Sequence, residues 1–139
     1  MTPRGQAMYM HTAAALTAVT GIVFGVMKYA MTTDDPFAAA NHPWQPHMLS
    51  AHVVLAPLLL FGLGWMFGDH IWPRFRGGMK AHRSSGLWSM TMIAPMTLSA
   101  YLMQVATNDV LRDSMKWIHL VTSAAFTIAY VIHLVKARY

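Results

Sequence analysis

The chain has 139 residues, of which 55% are hydrophobic and only 11% charged, with no cysteine and a formal net charge of +5. Soluble domains carry about a quarter charged residues, so this deficit points to lipid as the solvent. The missing cysteines exclude disulfides, thiolate zinc sites, cysteine-ligated iron–sulfur clusters and covalent c-type haem attachment.

A membrane-crossing helix needs about 20 mainly apolar residues, and four segments meet that need: 7–31, 47–72, 85–107 and 115–135. The first is too long for a signal-peptide core and lacks a convincing cleavage site, so it reads as a retained span. The connector 32–46 holds Asp34, Asp35, Pro36, Pro43 and Pro46, all poor in a helix interior. Span two contains Pro57 and span three Pro95, kinks that a membrane helix tolerates when neighbours satisfy the freed carbonyls. Connector 73–84 is short and basic with Gly77-Gly78, and 108–114 reads as a brief polar turn. No low-complexity tract or clear internal repeat interrupts the chain, which is expected to be one domain over 1–139.

Charge sets the expected orientation. Arg4, Arg74, Arg76, Lys80, Arg83, Lys136 and Arg138 fall at the N-terminus, the second connector and the C-terminus. Lys28, Arg112 and Lys116 lie on the other side, among Asp34, Asp35, Asp109 and Asp113. The positive-inside rule puts both termini in the cytoplasm. The expected fold is therefore all-α: an up-down-up-down four-helix transmembrane bundle, N-in and C-in. Basic residues beside apolar spans also make anionic lipid, and not nucleic acid, the expected counter-charge.

Ionisable groups inside a membrane are costly and are functional candidates by default. His119 and His133 lie fourteen residues apart on the fourth span, within about 40° of one face and about 21 Å apart along the axis. That suits two stacked porphyrins, one per leaflet. Pairing by depth sets His52 with His119 near the outer face and His11 with His133 near the inner face. Gly25, fourteen residues after His11, would let a flat macrocycle approach the first helix at the outer level. Span three has no histidine.

One His near the start of helix one, one on helix two and two fourteen apart on helix four resemble the bacterial cytochrome b561 family and related four-helix di-haem b-type cytochromes. Tyr9-Met10-His11 leading to Thr20-Gly21 also resembles the first ligand helix of hydrogenase- and formate-dehydrogenase-type cytochromes b. The resemblance implies two bis-His haem b groups with His11, His52, His119 and His133 as iron ligands. It also implies quinol as electron donor or acceptor and a redox partner protein, or a larger respiratory or photosynthetic complex, at the other end. The chain departs from that family in its shortness and in the segment Asn41-His42-Pro43-Trp44-Gln45-Pro46-His47.

Other readings stay open beside this one. His70 rivals His11 as the inner ligand, and it could instead bond a haem propionate at the interface; Arg83, Arg4 and Arg138 are further propionate candidates. Met66, fourteen residues after His52, could pair with His133, although methionine in a span more often serves packing. His42 and His47 could bind a metal, line a quinol pocket or be plain loop residues, and His82 sits among basic neighbours. The thirteen methionines allow a Met/His copper or metal transporter, and a haem-free anchoring subunit would bury its histidines for packing alone. The chain has no Glu, and its five Asp lie in connectors or at span ends, so a proton pump is not expected.

Overall fold

The computed structural model describes residues 2–77 and 83–136, and every regular element among them is helical. Contacts cluster into two compact units, Met1–Gly77 and Gly78–Tyr139, each built on an antiparallel helix pair.

In the first unit, α1 spans Pro3–Tyr29. It starts four residues before the expected span because Thr2 caps it, its hydroxyl accepting from the Gly5 N–H at 3.3 Å, and Pro3 supplies a preset first turn. The loop 30–44 is tied at its ends by Asn41, which donates from Nδ2 to the Lys28 carbonyl (2.9 Å) and from its backbone N–H to Gln45 Oε1 (3.1 Å). Helix α2 follows over Gln45–Met66. Pro46, read from sequence as a connector residue, occupies its first turn, where a missing N–H breaks no helical bond.

The second span, expected to end at residue 72, is apolar as far as Asp69, and the helical backbone runs past it. The chain continues through a wide π turn, Phe67–Ile71, into a short helix α3, Trp72–Arg76. The cause is Pro73, whose ring would collide with the carbonyl four residues back in a regular α-turn. The wider turn, with the Trp72 N–H reaching Phe67 O, relieves that collision. Gln6 Nε2 donates to Asp69 Oδ2 at 2.7 Å and ties the start of α1 to this turn.

In the second unit, α4 covers Arg83–Val105 and α5 covers Asp109–Lys136. The expected polar turn 108–114 is largely helix. Asn108 caps α5 through Oδ1 to the Leu111 N–H (3.0 Å), Asp109 complements the helix dipole, and Asp109–Arg112 and Asp113–Lys116 ion pairs hold the first two turns. The true connector is only 106–108.

Among the described residues, three helices are long and apolar enough to cross a membrane: Arg4–Tyr29, Gln45–Asp69 and Asp109–Lys136. Helix α4, the expected third span, is 23 residues long but does not join them, because Ser89, Thr91, Thr97, Ser99 and Gln104 dilute its apolar run. Several of these side chains bond back to their own helix, as Thr91 does to Trp88 O at 2.9 Å and Gln104 to Ala100 O at 3.2 Å. The described apolar core is small, consisting of Met10, Ala13, Ala14, Leu59 and Phe126. Large apolar side chains such as Val19, Ile22, Val54, Phe61, Val121 and Ile128 face outward. Exposed apolar surface on this scale suits lipid and not water.

Candidate functional site

The register of the first helix pair is set by three contacts. Tyr9 donates its hydroxyl to Leu58 O at 2.9 Å. Gly62 lies under Tyr9 and Met10, where a Cβ would come within 2.9 Å of Tyr9 Cε1. Further along, the His52 imidazole lies against α1, its Nδ1 2.9 Å from Thr17 O. A carbonyl oxygen only accepts, so Nδ1 carries a proton, and in the neutral ring the lone pair is then on Nε2. Thr20 Oγ1 stands 3.5 Å from the same Nδ1. Gly21 makes this approach feasible, since a Cβ there would sit 2.8 Å from His52 Cε1. Thr17 is buried, and its Oγ1 is a buried polar atom with no hydrogen-bond partner among the described residues.

The second helix pair holds a matching arrangement. His119 Nδ1 lies 2.9 Å from Met96 O, a carbonyl of α4, so its Nδ1 is likewise a donor. His52 and His119 are both half-buried.

His11 is exposed on α1. By the antiparallel register it stands level with about residue 60 of α2, so its Cα is about 12 Å from that of His52 along the axis. Helical side chains lean toward their own N-terminus, and in an antiparallel pair that moves the two rings further apart, to about 15–18 Å. His133, half-buried on α5, is about 21 Å from His119. Gly25 is half-buried, and a Cβ built there meets no atom within 4 Å among the described residues. Met66 ends α2. His70 lies in the π turn and Arg83 opens α4, but neither side chain is among those described, and His82 lies outside the described residues altogether.

In the loop, His42 Nδ1 accepts from the Trp44 N–H at 3.1 Å, and His47 makes an edge contact with the Trp44 ring. No group of three or more His, Asp or Glu side chains converges among the described residues. A bis-imidazole haem asks only two side chains of the protein for each iron.

The residues against the two half-buried histidines, Thr17, Thr20, Gly21 and Met96, did not stand out as a set in the sequence. Two of the four, Thr17 and Met96, act through backbone carbonyls, which carry no residue-type signature. Only Thr20-Gly21 left a trace, as part of a motif. Compared with protein-family models, curated proteins and solved structures, the chain matches none.

Proposed function

We propose that the chain is a membrane di-haem b-type cytochrome that passes electrons between quinol and a redox partner, protein or larger complex. The observation that carries this reading is the pair His52 and His119. Each has Nδ1 2.9 Å from a backbone carbonyl of the adjoining helix, the kind of contact that fixes a ligand ring's orientation, so that Nε2 would be the nitrogen toward a metal. The donor set fits haem: imidazoles, no thiolate, and a surrounding of helices with little charge. When bound, haem supplies one-electron exchange, and the protein sets its potential through axial ligands, hydrogen bonds and low dielectric.

In this reading His52 and His119 take one iron and His11 and His133 the other, with all four helices crossing the membrane and both termini cytoplasmic. Gly25 leaves room beside α1, and His70 and Arg83 are the propionate candidates on the basic side. Lipid headgroups are met by Arg76, stacked over Trp72 at 4.8 Å, and by Lys28 over Phe24 at 5.6 Å.

A reduced-minus-oxidised spectrum with haem-to-protein ratio on the purified protein tests the reading. Two low-spin b-type haems per chain are expected, one lost with His52→Ala or His119→Ala and the other with His11→Ala or His133→Ala. If His11→Ala keeps both haems, Met66→Leu decides whether the thioether fourteen residues after His52 is the partner of His133. A chain purified without haem sinks the proposal.

A further inference from the structure

The two helix pairs match beyond their histidines. The carbonyl of Thr17 receives His52 Nδ1 at 2.9 Å, and Thr20, three residues on, brings its hydroxyl to 3.1 Å from the same oxygen and 2.8 Å from Leu16 O. The carbonyl of Met96 receives His119 Nδ1 at 2.9 Å, and Ser99, three residues on, brings its hydroxyl to 3.0 Å from that oxygen and 2.6 Å from Pro95 O.

The buried positions correspond as well. Met10 and Ser89 lie seven residues before the accepting carbonyl, at 2% and 8% exposure, while Leu59 and Phe126 lie seven after the histidine, each at 5%. The carbonyl and histidine are 35 positions apart in the first pair and 23 in the second. That difference of twelve equals the difference between the loops 30–44 and 106–108, fifteen residues against three.

We infer that the two hairpins are versions of one structural unit, and that in each unit the hydroxyl of Thr20 or Ser99 is a positioning group that tunes its histidine. A carbonyl oxygen has two lone pairs. Here the helical N–H four residues on, the imidazole Nδ1–H and the hydroxyl all converge on it. The hydroxyl has one proton and two carbonyls in reach, the preceding one the nearer, and at 3.1 Å and 3.0 Å from the shared carbonyl part of its donation still falls there. Donated to the shared carbonyl, that proton competes with the imidazole and weakens the Nδ1–H bond. Turned to the preceding carbonyl, it leaves the imidazole the stronger bond. A stronger Nδ1–H bond makes Nε2 the more basic ligand. Thr20 Oγ1 can also accept from Nδ1, but at 3.5 Å this contact is weak beside the 2.9 Å bond.

The inference takes its redox meaning from the haem reading, so the experiment separates the two. Thr20→Val, Ser99→Ala and the conservative Thr20→Ser are compared with the wild type by redox titration and by 15N NMR of histidine-labelled protein. Expected is an unchanged haem content and one midpoint lowered in Thr20→Val and in Ser99→Ala, with Thr20→Ser at the wild-type value. The Nδ1 resonance of His52 alone should move with Thr20→Val, and that of His119 alone with Ser99→Ala. Wild-type Nδ1 resonances and midpoints in variants that retain haem overturn the positioning role and leave the cytochrome reading standing. A wild-type protein without haem overturns the cytochrome reading, and the Nδ1 resonances then decide the positioning role alone: shifted they uphold it, unshifted they overturn it.

Discussion

His52 lies so close to Gly21 that a Cβ on that glycine would come within 2.8 Å of the ring's Cε1 and 3.0 Å of Nδ1. The glycine is thus the seat of the histidine, and its lack of a side chain lets Nδ1 reach the Thr17 carbonyl.

Gly21→Val is therefore expected to push the ring off α1. The cost should be about 1–3 kcal/mol, typical of overpacking at a tight contact, seen as a lower unfolding temperature in detergent. Under the proposed di-haem reading, haem content should also fall by one equivalent, as in His52→Ala. Gly64→Ala serves as the control, because a Cβ there meets nothing within 4 Å among the described residues. A Gly21→Val protein with wild-type stability and spectrum would contradict the packing described.

Thr17→Val tests the buried hydroxyl near His52 that has no hydrogen-bond partner among the described residues. Removing an unsatisfied buried polar group while keeping its shape is expected to be neutral or to stabilise by about 1 kcal/mol. Thermal unfolding measures this, and the Thr17 carbonyl that holds His52 is untouched. Lost stability or lost haem would show that the hydroxyl serves a bound group.

Because the chain has no cysteine, single-cysteine variants report topology without background. Phe37→Cys, at a residue 94% exposed in the loop 30–44, should react with an impermeant maleimide on intact cells. Arg4→Cys should react only after lysis. Lys136→Cys decides whether α4 crosses the membrane. Protection on intact cells means four spans, whereas labelling means three.

Asn108→Ala removes the cap of α5 and should cost about 1 kcal/mol. The loss should appear as faster amide exchange in the first turns of α5, with His119 and its spectrum unaffected.

Composition and apolar run length made the helical, lipid-facing character legible without coordinates, because burial in a bilayer demands continuous apolar sequence. The half-buried histidines of α2 and α5 were legible too, since an ionisable group in such a run stands out. Helix ends were less so. The cap at Asn108 and the ion pairs after it turned an apparent polar loop into two turns of α5, as local hydrogen bonding outweighed the polarity of the segment. The wide turn at Phe67–Ile71 also depended on how the backbone relieves Pro73.

The sequence alone determined three long apolar helices and where the histidines fall along them, because both follow from residue type and spacing. Only the tertiary structure decided the register of α1 against α2 and of α4 against α5. That register seats His52 on Gly21 and Thr17, seats His119 on Met96, and makes the two hairpins alike around their histidines. The contacts run through backbone carbonyls and a missing Cβ, which every sequence possesses or can spare, so they acquire meaning only once two helices are packed together.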